Sequence, residues 1–132
     1  IYYSWLNKKT LKVFGGDYKT EDGTCAREYV HISDITEAHL LAIKNSKLNG
    51  THVINLCTGN PVTNLQVIKT AECVWQCDIK YEIVSRRKGD AESLFGVNLK
   101  AKNLIGWEPS HSKIDHILRD YKKWREKFIE TC

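Results

Sequence analysis

The chain has 132 residues, of which 42% are hydrophobic and 27% charged, as in an ordinary globular protein with one modest core. No apolar run approaches the roughly 20 residues of a membrane-spanning helix, and residues 1–6 lack the pattern of a signal peptide, so we expect no membrane partner. The net charge of +4 suits a phosphorylated ligand, but the dense basic stripe typical of nucleic-acid-binding proteins is missing, so we expect no nucleic acid either.

In the first half of the chain, turn residues separate short β-prone runs from one helical pattern. The predicted elements are, in order, a helix end at 1–10, a strand at 11–14, a polar loop at 17–24, a strand at 27–32 and a helix from 34 to about 49. Asp34 is the predicted N-cap of that helix, and Glu37 three residues later would complete a capping box.

In the second half, three helical patterns alternate with two short strands. The predicted elements are a strand at 52–56, a turn at 57–61, a helix at 64–76 capped by Thr63, a strand at 79–84, a charged loop at 85–90, a helix at 100–105 stopped by Gly106, and a last helix at 113–128. Because strands alternate with helices throughout, we predict an α/β fold in a single domain over residues 1–132.

Several motifs that would give the chain its own chemistry are missing. It has no glycine-rich dinucleotide-binding turn, no Walker loop, no HExxH and no YxxxK pair. We therefore assign no catalytic residue and no metal ligand within these residues.

The methionine and cysteine counts are informative too. The chain has no methionine, even at position 1, which suggests that it begins inside a longer polypeptide, a trimmed mature protein being the alternative. Its five cysteines form no CxxC pair, which favours reduced thiols and a cytoplasmic protein. Cys73 and Cys77 share a predicted helical face, and we interpret them as buried small hydrophobes because two thiols cannot complete a zinc site.

Two polar segments carry more charged groups than a core needs, namely residues 14–31 and residues 86–90. Arginines from two separate loops could hold a diphosphate, because the guanidinium fork matches phosphate oxygens in a bidentate manner. An aspartate beside such a clamp could accept hydrogen bonds from sugar hydroxyls. Exposed arginine-rich loops are common, so the spacing alone allows an alternative in which these arginines are solvated surface residues without a ligand.

Residues 13–34 (VFGGDYKTEDGTCAREYVHISD) closely resemble the FGxDYxTxDGTxxRDYIHVxDL signature of UDP-glucose 4-epimerases. Further matches follow in the same order: NLCTG at 55–59 is similar to the family's NLGTG, RRKGD at 86–90 to its RRxGD, and KAKNLIGW at 100–107 to its KA…LGW. The resemblance covers essentially the whole chain.

This resemblance implies the C-terminal substrate-binding portion of an extended short-chain dehydrogenase/reductase that acts on UDP-glucose and UDP-galactose. In the family, the N-terminal Rossmann half holds NAD and carries the catalytic tyrosine and lysine. That half is absent from these residues and would be a partner of this portion, so we expect the chain alone to be inactive. The resemblance also allows a homodimer of the full enzyme.

Site residues follow from the resemblance, position by position. Lys12 and Phe14 match the strand whose backbone binds uracil, and Arg27 and Arg87 match the two arginines that hold the diphosphate. Two further positions are Asp90, matching the carboxylate on the ribose hydroxyls, and Leu94, where family members carry the Tyr or Cys that limits the sugar pocket.

Departures from the family pattern leave some questions open. Glu28 replaces an aspartate, and Asn64 replaces a valine near the uracil. Leu94 is neither Tyr nor Cys, so a UDP-N-acetylhexosamine 4-epimerase is an alternative. A stand-alone nucleotide-sugar-binding module without activity is another. Tyr29 and His31 are interpreted as structural residues of the signature strand.

Overall fold

The computed structural model describes residues 1–45 and 49–129, and ten regular elements lie within these ranges. The helices are α1 (Tyr2–Leu6), α2 (Ile32–Lys44), α3 (Asn64–Trp75), α4 (Leu99–Ile105) and α5 (Ile114–Ile129). The strands are β1 (Leu11–Phe14), β2 (Ala26–Arg27), β3 (Val62–Thr63), β4 (Tyr81–Val84) and β5 (Ser93–Leu94). The predicted alternation of short strands with helices is confirmed.

The strands form two small sheets. β1 pairs with β4 in parallel, with Leu11 opposite Tyr81 and Phe14 opposite Val84. In the other sheet β2 lies in the centre, antiparallel to β3 and parallel to β5. A parallel pair brings the carboxyl ends of its strands to the same edge, so the segments that follow β1 and β4 become neighbours.

The main core lies between α3, α5 and the first sheet. Ile68 and Trp75 of α3 pack there with Val13 of β1 and Leu118 of α5, all buried. The indole Nε1 of Trp75 donates to the carbonyl of Leu118 at 3.0 Å, which satisfies a polar atom that would be costly to bury unpaired. The predicted apolar face of α5 therefore reaches the core at Leu118, whereas Phe128 at its far end is exposed.

A smaller core joins α2 to α4. Trp107 is fully buried there against Ala38, Ala101 and Ile105, and its Nε1 donates to the carbonyl of Asp34 at 2.7 Å. Gly106 ends α4 with φ of +70°, the left-handed conformation that favours glycine, as the sequence predicts.

Local signals place α3 correctly. Thr63 is its N-cap and forms a capping box with Gln66, whose side chain accepts from the Thr63 N–H at 3.0 Å. The cysteine interpretation is wrong for Cys73, which is exposed, while Cys77 lies beyond the end of the helix and is half-buried. Cys132 lies outside the described residues.

The predicted strand at 27–32 is wrong beyond Arg27, since residues 28–31 are irregular and α2 begins at Ile32, earlier than expected. His31, not Asp34, is its N-cap, and the Nδ1 of His31 accepts from the Ser33 N–H at 3.0 Å. Asp34 lies fully buried in the first turn and makes no capping box. Instead its carboxylate accepts tertiary hydrogen bonds from residues 110–112, which no local pattern could indicate.

The predicted strand at 52–56 is wrong as well. The structure assigns no regular element there among the described residues. The alternation in the sequence has another cause, since Ile54 and Leu56 pack against the smaller core without joining a sheet.

The buried carboxylate of Asp34 should make stability depend on pH. Burial alone would raise the pKa of Asp34, but hydrogen bonds from Ser112, Ser110 and His111 outweigh it and lower the pKa to about 2. This carboxylate therefore stabilises the fold fully above its ordinary pKa of 3.8, and the contribution, about 2 kcal/mol, is lost as pH falls through about 2.

Urea unfolding of the wild type and of Asp34→Asn, which cannot titrate, checks this dependence. We expect the stability difference between them to shrink by about 2 kcal/mol between about pH 6 and pH 2. A difference that is the same at both ends of this range would contradict the assignment.

Candidate functional site

The candidate site begins where β1 and β4 end. Gly15 follows β1 and its N–H donates to the carbonyl of Val84 at 2.8 Å, so the pairing continues to the ends of both strands. Residues 15–18 and residues 85–90 leave the sheet at this edge. The edge beyond the carboxyl ends of parallel strands is where α/β proteins commonly bind ligands.

A cleft of about 290 Å³ lies beside β1, near the lower end of the size range of small-molecule sites. Its lining includes four of the six predicted site residues, namely Lys12, Phe14, Arg87 and Asp90. Tyr29 and Asn64 are among the other residues that line it. The sequence matches at 12–14 and at 86–90 are far apart along the chain, and the fold brings them into one cleft.

The free edge of β1 offers backbone hydrogen-bonding groups. The N–H groups of Leu11 and Gly15 donate to Lys80 and Val84, so odd-numbered residues face β4. Because alternate residues of a strand direct their backbone groups to opposite edges, those of Lys12 and Phe14 point to the other edge of this two-stranded sheet. An N–H and a carbonyl in this arrangement can pair with a planar ring that has both a donor and an acceptor.

Arg87 is held in place by two contacts. Its guanidinium carbon lies 4.4 Å from the centre of the Phe14 ring, and its Nε donates to Oδ2 of Asp90 at 3.1 Å. The stacked position over an aromatic face is favourable for arginine. Its two terminal nitrogens have no protein partner among the described residues, and these are the donors that a phosphate could use.

Arg27 and Leu94 do not line the cleft. They are directly opposite each other on β2 and β5, and Nη1 of Arg27 donates to the carbonyl of Ala26 at 2.7 Å. Leu94 is 56% exposed. The pairing of Arg27 with Arg87 in one diphosphate clamp stays a prediction.

Glu28, which stands where the family has an aspartate, accepts hydrogen bonds from two other segments of the chain. Its carboxylate accepts from the Gly96 N–H at 2.7 Å, from Oγ1 of Thr58 at 2.9 Å and from the Gly59 N–H. Burial alone would raise the pKa of Glu28, but these hydrogen bonds outweigh it and keep the pKa below its ordinary value. Glu28 thus joins the end of β2 to the segments around 58 and 96.

Tyr29, interpreted from the sequence as structural, and Asn64, expected near the uracil in place of a valine, both line the cleft. Burial raises the pKa of the Tyr29 hydroxyl, so the ring stays neutral at ordinary pH. Nδ2 of Asn64 donates to Sγ of Cys25 at 3.2 Å. No strand contains Tyr29, so the signature-strand interpretation is wrong for it, and only the departure from valine at position 64 was a signal in the sequence.

Loop 17–24 is tied to α3 by Asp22. One of its carboxylate oxygens accepts from the N–H and Oγ1 of Thr24 at 2.9 and 2.7 Å, and the other accepts from the Thr63 hydroxyl. Burial alone would raise the pKa of Asp22, but these hydrogen bonds lower it. These contacts join the loop to the N-terminus of α3.

No cluster of three or more His, Cys, Asp or Glu side chains that could hold a metal ion occurs within 1–45 and 49–129. No helix in the same ranges is long and apolar enough to cross a membrane.

No family model matches the chain. The chain is nevertheless 39% identical over 115 residues to the UDP-glucose 4-epimerase of Lactobacillus helveticus. This match covers 86% of the chain and 35% of the relative. The chain thus spans about a third of the length of the curated relatives that it matches.

Solved structures give the same result. A UDP-glucose 4-epimerase from Stenotrophomonas maltophila with bound NAD and formylated UDP-arabinopyranose is similar with a TM-score of 0.87 and 31% identity, over 93% of this chain and 37% of that one. The enzyme from Bifidobacterium longum in complex with NAD+ and UDP is similar with a TM-score of 0.82 and 34% identity, over 90% and 35%.

Proposed function

We propose that this chain, which belongs to the UDP-glucose 4-epimerase family, is the C-terminal part of such an enzyme and binds the UDP of its substrates, UDP-glucose and UDP-galactose. The observation that carries the proposal is the cleft in which Phe14 and Lys12 of β1 meet Arg87 and Asp90 of the 85–90 loop. The relatives named above are UDP-glucose 4-epimerases, which favours this substrate pair over N-acetylhexosamines.

Each wall of the cleft suits a different part of UDP. The free backbone edge at Lys12 and Phe14 can hydrogen-bond the uracil ring, and the carboxylate of Asp90 can accept from ribose hydroxyls. The terminal nitrogens of Arg87 can donate to the diphosphate, with Arg27 as the second arginine and Leu94 on the sugar side. These groups do not touch the reacting carbon, so they supply uniform binding rather than transition-state stabilisation.

We assign the hydride transfer to chain outside these 132 residues. The residues here include no glycine-rich dinucleotide-binding turn, so they do not fit NAD, and none is placed as a catalytic group. We propose that an N-terminal Rossmann half binds NAD and packs against this portion. On this proposal the 132 residues alone bind UDP without turning over UDP-galactose, and an assay of that turnover with added NAD tests it.

Replacing Arg87 by alanine tests UDP binding directly. Removing a charge partner of the diphosphate should cost about 2 kcal/mol, so we expect the Kd for UDP to rise roughly 30-fold. Isothermal titration of UDP into the full-length protein measures it. Lys88→Ala is the matched control, since it removes one positive charge from an exposed side chain of the same loop outside the cleft lining. Equal Kd values for both variants would reject the proposal.

Two further proposals concern the assembly and the location of the full enzyme. The full enzyme would be a homodimer, which sedimentation of the full-length protein can test. It would also lie in the cytoplasm, in keeping with the free thiols of the four described cysteines.

A further inference from the structure

Arg86 and Arg87 are neighbours in the sequence but have different surroundings. Nε of Arg86 donates to Oδ1 of Asp17 at 2.5 Å, and its Nη2 donates to the Asp17 backbone carbonyl. The Arg86 guanidinium carbon also lies 4.0 Å from the centre of the Tyr18 ring. Arg86 therefore contacts the segment after β1 through one ion pair, one backbone hydrogen bond and one aromatic ring.

Gly15 lets these groups come together. Its φ is +82°, and a Cβ at this position would lie 2.3 Å from Cε2 of Tyr18 and 2.9 Å from Cγ of Arg86. Any other residue at position 15 would displace the side chains of Tyr18 and Arg86. The Arg86 side chain thus packs directly on the turn that ends β1.

Arg87, the next residue, has its guanidinium over Phe14 and its Nε on Asp90. The two neighbouring guanidinium groups therefore contact different parts of the chain: Arg86 contacts the 15–18 turn, and Arg87 contacts the Phe14 ring and Asp90. Arg86 itself does not line the cleft.

We propose that Arg86 is a positioning residue that fixes the 85–90 loop to the turn after β1 and so holds Arg87 over Phe14 for contact with the diphosphate. The inference rests on the proposed function and adds a residue to it. Arg86 acts through Arg87 and does not touch the ligand.

The expected effect is on binding rather than on global stability. The Arg86 side chain is 44% exposed and that of Asp17 is 77% exposed, and pairs of such exposure contribute little to folding. Without the Arg86–Asp17 pair, the 85–90 loop would also populate conformations in which Arg87 is displaced from Phe14. The apparent affinity for UDP then falls in proportion to the fraction of molecules that have Arg87 in place. A competent fraction of about one tenth gives a roughly tenfold higher Kd.

The test is a double-mutant cycle on the full-length protein, with UDP titrated calorimetrically into Arg86→Ala, Arg87→Ala and the double variant. We expect Arg86→Ala to raise the Kd about five- to tenfold, with an unchanged Tm and kcat. Because Arg86 acts through Arg87, the double variant should bind UDP no more weakly than Arg87→Ala. Asp17→Asn keeps the backbone acceptor, so we expect a smaller loss of affinity than with Arg86→Ala.

Other outcomes separate this inference from the proposed function. If the losses of UDP affinity multiply in the double variant, Arg86 binds the ligand independently of Arg87. If Arg86→Ala binds UDP as tightly as the wild type, Arg86 does not contribute to binding. Either result overturns the positioning role. In both cases, weaker UDP binding by the Arg87→Ala variant leaves the proposed function intact. Wild-type affinity for Arg87→Ala would instead reject the proposed function itself.

Discussion

Replacing Asp34 by alanine should lower the free energy of unfolding by about 3–5 kcal/mol. Asp34 is fully buried and its carboxylate accepts from the N–H groups of Ser110 and His111, at 3.1 and 3.0 Å, and from the Ser112 hydroxyl. Alanine would remove the fully buried acceptor on which these donors converge, and the loss of several hydrogen bonds to a charged group is expensive. Urea unfolding of the full-length protein measures the loss.

Asp115→Ala is the matched control for that experiment. Asp115 lies in the first turn of α5, where its partly exposed carboxylate pairs with Arg119. We expect this change to cost less than about 1 kcal/mol, as is usual for surface ion pairs. If both substitutions cost the same, Asp34 does not link α2 to residues 110–112 in the way that the contacts indicate.

Trp107→Ala should cost about 4 kcal/mol. The indole is completely buried between α2 and α4, against Ala38 and Ala101, and its Nε1 donates to the Asp34 carbonyl at 2.7 Å. Alanine would leave a cavity that the small neighbouring side chains cannot fill, and it would remove the donor as well. The thermal unfolding temperature and the urea midpoint should both fall.

Trp124→Ala controls for the loss of a tryptophan as such. Trp124 lies on α5 and is 50% exposed, with contacts to Tyr121 and Phe128. Because half of its surface is already in water, we expect a loss of about 1 kcal/mol or less. A loss as large as that of Trp107→Ala would mean that α5 carries more of the stability than the smaller core does.

Local signals predicted the helices well and the short strands poorly. Thr63 with Gln66 and Gly106 mark helix ends by contacts within a few residues, which the sequence displays directly. A strand needs a partner from elsewhere in the chain. Residues 11–14 have one and residues 52–56 have none in the described part, although both look β-prone.

The candidate site was predictable in its residues and not in its arrangement. The family motifs name Lys12, Phe14, Arg87 and Asp90, and the cleft contains all four. The same motifs give no indication that Arg27 would pair with Leu94 on another sheet, outside the cleft lining. They also leave out Tyr29 and the contact of Arg86 with Asp17.

By itself the sequence determined the resemblance to UDP-glucose 4-epimerases, the approximate positions of the helices, the ends marked by Thr63 and Gly106, and the residue types of the candidate cleft, because motifs and helix ends depend on residues close together in the chain. Tertiary structure decided that β1 and β4 run in parallel and end side by side. That arrangement places residue 17 beside residue 86, and residue 14 beside residue 87. The physical reason is that burying the face of β1 against α3 and α5 fixes the register, and no local pattern encodes a contact between segments about 70 residues apart.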